Sequence, residues 1–181
     1  MIETNRLILR EIETGDAAFV VQLLNEPAFI QNIGDRGVRT PADALQWIES
    51  GPRANYARIG FGHYAVVLKT TGEPIGMCGL RTRDGLEHPD LGYAVLKRHW
   101  GHGYAVEAAR AMLDYSRTNL GLRQLQAICA PANRASMAVL EKLGFRFHTT
   151  TRLPAEDHDV MVYGLDLIPV ARQSHEDGAG G

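Results

Sequence analysis

One stretch constrains this chain more than any other: Asp90–Ala109, DLGYAVLKRHWGHGYAVEAA. Its pattern predicts a strand over Asp90–Lys97, a glycine-punctuated turn over Arg98–Gly103, and a helix opening near Tyr104. Gly101 and Gly103 remove two side chains where a ligand must approach the backbone. The helix points its unpaired N–H groups and the positive end of its dipole back at that turn, an arrangement that favours an anion. Strand, turn and helix start together predict a cradle for a pyrophosphate. A third glycine for a dinucleotide fingerprint is missing, as is the Lys-Ser/Thr that closes a P-loop. His99 and His102 flank Trp100 without a cysteine or carboxylate companion, so no metal site is expected there.

The remainder must supply a fold that holds this unit. At 181 residues the chain is long enough for one domain with a sizeable core, and 22% charged residues with 45% hydrophobic ones suit an ordinary globular protein. The net charge of -2, with no basic run longer than two residues, argues against nucleic acid as a partner. Cys78 and Cys129 sit in apolar runs and read as buried free thiols. The N-terminal MIETNRLILRE has charges where a signal peptide needs its apolar core, and no window reaches membrane-helix length. The expectation is a cytoplasmic protein with no membrane partner.

Leu7–Ile12 reads as the first strand, and Asp16 as the cap of a helix to about Asn25 that Pro27 stops. Thr40-Pro41-Ala42-Asp43 is a second helix start, with Gly51-Pro52 as its end. Phe61–Lys69 and Pro74–Thr82 form a hairpin across Thr70–Glu73, and Arg83–Pro89 is a polar loop. In the helix after Gly103, Glu107, Arg110, Asp114 and Arg117 fall on one face, read as solvated. Gln124–Ala130 is a strand, Arg134–Leu143 a short helix, and Phe145–Thr150 with Asp159–Leu167 a closing β pair. The order β-α-α-β-β-β-α-β-α-β-β predicts a mixed α/β sheet in one domain, residues 1–168, followed by a frayed tail, 169–181.

The text R-H-W-G-H-G-Y-A at Arg98–Ala105 resembles the (Q/R)-x-x-G-x-(G/A) signature of the GNAT N-acetyltransferases. Glu3–Asp16, Glu73–Leu80, Leu91–Ala109 and Asn133–Phe145 resemble their counterparts in the RimJ/RimL-type branch, in matching order. The resemblance implies an acetyl-CoA-dependent enzyme whose two central strands splay apart, with the pantetheine arm of acetyl-CoA between them. Backbone groups of Ala94, Val95 and Leu96 would then bond the pantetheine amides. The N–H groups of His99, Trp100, Gly101, His102, Gly103, Tyr104 and Ala105 would hold the pyrophosphate, and Asn133 would contact the pantetheine.

Asn133 and Ser136 carry two readings. They form a helix cap and its helper. Alternatively, Ser136 shares a helix face with Leu140 and Leu143 and points inward, where the resemblance makes it the proton donor to the departing CoA thiolate. Many GNAT enzymes place a Tyr at the position of Leu140. Asp90, at the start of the central strand, is the candidate general base; Glu87 reads as loop charge. An N–H near Ala94–Val95 would stabilise the oxyanion.

The resemblance suggests a primary amine as acceptor, with a protein N-terminus as the candidate, and dimers are common in this branch. Small amines (polyamine, amino acid, antibiotic) are the alternative, and a non-catalytic acetyl-CoA sensor is a rival of another class. The acceptor wall is expected from the two N-terminal helices, Asn32–Arg39, Arg53–His63 and Arg152–His158, which mix charges without a dominant sign.

Overall fold

Eight strands form one twisted sheet, described by a computed structural model over residues 1–154 and 156–167. In chain order they are β1 (Ile2–Glu3), β2 (Leu7–Glu11), β3 (His63–Leu68), β4 (Pro74–Arg81), β5 (Asp90–Val95), β6 (Gln124–Cys129), β7 (Arg146–Thr151) and β8 (Val160–Asp166). Their order in the sheet is β1-β2-β3-β4-β5-β6-β8-β7. Every neighbouring pair is antiparallel except β5 and β6, which run parallel and share a single register pair, Asp90↔Gln126. Beyond that pair the two strands part. The expected tail, 169–181, lies outside the described residues.

Alternation along the strands sorts side chains onto two faces. On one face Tyr64, Val66, Cys78, Leu80 and Leu91 pack against Ala108, Ala109 and Met112 of helix α5 (Tyr104–Thr118). Helix α6 (Arg134–Lys142) closes the same face with Met137 and Leu140. On the other face Ala65, Val67 and Met77 lie under α1 (Ala17–Leu24), α2 (Pro27–Ile33) and α3 (Pro41–Ile48), through Val20, Phe29 and Ile48. Each helix buries one apolar stripe against the sheet, which supplies the stability its own length would not.

Two expectations about the N-terminal half are corrected. Pro27 does not only end a helix: it is the first residue of α2, where a missing N–H costs nothing. Gly51-Pro52 does not end the next one either, because the chain runs through a wide helical turn (Glu49–Arg53) into α4 (Ala54–Ile59). Four helices therefore cover this face where two were predicted. The Thr40 cap is as predicted, its hydroxyl accepting from Asp43 N–H while the Asp43 carboxylate accepts from Thr40 N–H. Glu107 is also not solvated. Its carboxylate takes bonds from the Thr4 hydroxyl (2.6 Å), Arg6 N–H (3.0 Å) and Arg6 Nε (2.7 Å), pinning the N-terminal segment to α5.

Candidate active site

A cleft of about 810 Å³ opens where β5 and β6 part. Its edge follows from hydrogen-bond alternation. Leu96 N–H donates to the Ile75 carbonyl at 2.8 Å, so Leu96 and Ala94 turn their backbone groups towards β4 and Val95 turns its own away. Of the three residues expected to bond pantetheine through the backbone, only Val95 faces the open edge. Its carbonyl accepts from Trp100 Nε1 at 2.7 Å.

The turn beyond β5 is partly used up internally. His99 N–H donates to Leu96 O (2.9 Å) and Trp100 N–H to Lys97 O (3.1 Å), which removes these two from the expected pyrophosphate donors. The amides from Gly101 to Ala105 have no acceptor among the described residues. Gly101 and Gly103 hold φ of +79° and +78°, a left-handed backbone that strains any residue with a Cβ. The His102 ring stacks on Tyr104 (5.6 Å between centroids), and the Arg6 guanidinium lies 4.6 Å from the Tyr104 centroid.

One wall of the cleft comes from α6. The Asn133 carboxamide caps this helix by accepting Ser136 N–H at 3.1 Å. The first half of the two-way reading of these residues is thus realised, and Ser136 also lines the cleft as its helix face required. The Ser136 hydroxyl lies 2.9 Å from that of Tyr93, a residue that went unread in the sequence. Burial pushes the Tyr93 phenol well above its usual range, against the opposing influence of the Ser136 bond, so it keeps its proton. The signal for Tyr93 was strand alternation, since Asp90 on the α1–α4 face puts residue 93, an odd three positions on, on the α6 side.

The opposite wall, under α1–α4, sets charged groups among apolar ones such as Phe29, Trp47 and Met77. Asp90 is 1% exposed and paired through Oδ2 with Arg83 Nε at 3.2 Å, while its Oδ1 is buried with no partner among the described residues. Burial raises the Asp90 pKa, with Arg83 and Arg81 pulling the other way. Arg83 also meets Glu156 at 2.8 Å. His63 leans on the bare backbone of Gly92, where a Cβ would come within 2.9 Å of its Nε2. Burial, reinforced by Arg81, Arg83 and Arg36, drops His63 to about 3, leaving the ring neutral. The thiols of Cys78 and Cys129 are buried and raised by burial to about 12 and about 11, unsuited to nucleophilic work.

A splayed parallel pair, a glycine turn and a helix start on one cleft are the architecture expected from the resemblance. The family profile for the Acetyltransferase (GNAT) domain matches residues 6–146. The chain belongs to the GNAT acetyltransferase family. It is similar to the uncharacterized protein YkkB of Bacillus subtilis (strain 168), with 34% identity over 153 residues, 82% of this chain and 87% of that one. Among solved structures it resembles the acetyltransferase from Agrobacterium tumefaciens str. C58, with TM-score 0.77 and 28% identity over 91% of this chain and 92% of that one. RimL, a ribosomal α-N-protein acetyltransferase solved in complex with coenzyme A, shares the fold at TM-score 0.77 and 18% identity, over 91% of this chain and 96% of that chain.

The GNAT domain makes this chain an acetyl-CoA-dependent N-acetyltransferase. The cleft suits that co-substrate: unpaired amides at the turn fit phosphates, and the open edge at Val95 fits an amide-bearing arm. Among the described residues no group of three His, Cys, Asp or Glu side chains is placed to hold a metal ion, and no helix is long and apolar enough to cross a membrane.

Proposed function

We propose that this enzyme moves an acetyl group directly from acetyl-CoA to an α-amine, that of a protein N-terminus or of a small molecule. The observation that carries this is the gap between β5 and β6, with a hydroxyl pair on one side and a carboxylate with a free oxygen on the other. Val95 N–H, on the open edge, stabilises the oxyanion formed when the amine attacks the thioester carbonyl. The Asp90 carboxylate takes the proton the amine sheds, relayed through water. Ser136 gives its proton to the thiolate as the C–S bond breaks, and Tyr93 supports that transfer by donating to the Ser136 oxygen. Asn133 orients Ser136 by capping its helix, and has its amide N–H₂ left for the pantetheine arm.

An α-amine suits this machinery better than a lysine or a polyamine. At a peptide N-terminus it titrates near 8, so an appreciable fraction is neutral at pH 7, whereas amines near 10.4 need a far stronger base. The test is CoA-thiol release with peptide N-termini, free amino acids and spermidine, comparing wild type with Ser136→Ala. Release with α-amines that falls about 100-fold or more in kcat in the variant supports the reading. Release with spermidine alone, or binding of acetyl-CoA without release over the whole panel, refutes it.

A further inference from the structure

The acceptor side of the cleft carries charge that acetyl transfer to a bare amine does not use. Arg36, Arg58, Arg81 and Arg83 line it, against the carboxylates of Asp90 and Glu156. A third carboxylate, Glu26, lies at the other end, bonded to Lys97 N–H at 3.0 Å. In the folded cleft Arg81 and Arg83, from β4 and its following loop, join Arg36 after α2 and Arg58 of α4, so that four cations face three carboxylates.

The arginines differ in how they are spent. Arg83 is committed to Asp90 and Glu156. Arg36 donates to the Ile33 carbonyl and Arg58 to Asn55 Oδ1, both at the exposed rim. Arg81 is half-buried and makes no hydrogen bond or ion pair among the described residues. Its guanidinium holds five donors, and a half-buried cation without a paired anion gains most from a ligand that supplies one.

Position adds direction to this. Arg81 and Asp90 are register partners across β4 and β5, on the same face. Side by side stand a guanidinium and a buried carboxylate oxygen, neither with a side-chain partner among the described residues, on two residues that line the cleft. The next register pair on that face is Gly79↔Gly92, whose bare backbone is covered by the neutral His63 ring, so Arg81 is the cation of the strand pair beside Asp90. An amine at Asp90 Oδ1 therefore has the Arg81 guanidinium as its neighbour.

We propose that the acceptor is an α-amine carrying a carboxylate close to the amine, with Arg81 binding the carboxylate while Asp90 receives the amine. This rests on the acetyl-transfer reading above. Two sources supply the same chemistry: the α-carboxylate of a free amino acid, or the side chain of an Asp or Glu at the start of a peptide. Arg81 is then a specificity determinant, since guanidinium and carboxylate pair in a bidentate, charge-assisted geometry.

The experiment measures kcat/KM for thiol release with saturating acetyl-CoA. The acceptors are matched free amino acids and their amides, and peptides beginning with Asp or Glu beside the same peptides with Asn or Gln. In the wild type, the carboxylate-bearing member of at least one pair is preferred by about 10- to 100-fold, the worth of one charge-assisted pair. The free-acid pair winning identifies a small-molecule source, and the acidic-peptide pair winning identifies a peptide source. In Arg81→Gln that preference falls towards one, Arg81→Lys restores part of it, and KM for acetyl-CoA stays within about twofold. Equal rates for both members of every pair in the wild type overturn the proposal and leave acetyl transfer standing, and so does a preference that survives Arg81→Gln. Release with no amine at all overturns both. The wild-type comparison needs no variant, so misfolding of a substituted chain cannot mask the answer.

Discussion

Tyr93→Phe tests the hydroxyl pair at the heart of the site. The change removes one oxygen, 2.9 Å from Ser136 Oγ, and leaves the ring on its strand. The cost to the fold is that of one ordinary hydrogen bond, about 1 kcal/mol, or roughly 2–4 °C in Tm for a domain of this size. The cost to catalysis is larger. In the proposed mechanism Ser136 yields its proton and its oxygen gains negative charge, and a bond donated to a charged oxygen is worth about 1.5–3 kcal/mol. Tyr93→Phe then lowers kcat by about 10- to 150-fold, with KM for acetyl-CoA within about twofold. Groups acting as a unit are not additive, so the double variant with Ser136→Ala is no slower than Ser136→Ala alone, within about twofold. Thiol-release kinetics on the four proteins decide the matter. Wild-type kcat in Tyr93→Phe, or losses that multiply in the double variant, would refute the shared role.

Other substitutions probe the remaining parts. Trp100→Phe keeps a ring but withdraws the donor that occupies the Val95 carbonyl at 2.7 Å; freeing this acceptor tightens acetyl-CoA binding up to about fivefold by calorimetry, and unchanged or weaker binding contradicts its use by the co-substrate. Asp90 has its pKa raised by burial, so its ionised form costs stability above the ordinary carboxylate range. Asp90→Asn therefore does not lower Tm at pH 8 but cuts kcat by about 100-fold or more, and equal kcat rules out a base at this position. Asp16 is the opposite case. Burial alone would raise its pKa, but two 2.8 Å bonds from Arg10 and one from Glu13 N–H reverse this and hold it low. Its contribution is present above the unfolded carboxylate pKa and lost as pH falls through the lowered folded value. The Tm gap between wild type and Asp16→Asn, equivalent to about 1.5–3 kcal/mol near neutrality, should therefore close below about pH 4; a gap that persists there contradicts the pairing.

What could be read from the sequence was local or repeated, and what could not was made by distant parts of the chain meeting. Strand β5, the glycine turn and α5 were legible because periodicity and Gly101 and Gly103 act within a few residues. The capping box at Thr40 was legible for the same reason. Pro27 and Pro52 misled because proline punctuates a chain without saying on which side; at a helix start its lost N–H is free, and in a widened turn the two flanking helices simply continue. Glu107 was misplaced because spacing on α5 pairs it with Arg110, whereas its partners, Thr4 and Arg6, lie about a hundred positions earlier. The acceptor wall was least legible of all, being assembled from α2, α4, the end of β4 and the loop at Glu156.

The placing of the proposed acid and base on opposite sides is a consequence of strand alternation. In β5, Asp90, Gly92 and Ala94 turn to the α1–α4 face, while Leu91, Tyr93 and Val95 turn to the α5–α6 face. An odd separation, three residues, therefore puts the Asp90 carboxylate and the Tyr93 hydroxyl on different faces whatever their rotamers. Within one sheet such groups could not act on the same reacting centre, because the backbone would lie between them. The break after Asp90↔Gln126 removes that barrier: it opens the sheet from face to face along β5. The amine can then lose its proton on the face where arginines gather, and the thiolate can gain one on the face where Tyr93 meets Ser136. A catalytic arrangement with two ends thus needs only one strand of ordinary alternation and one neighbour that turns away.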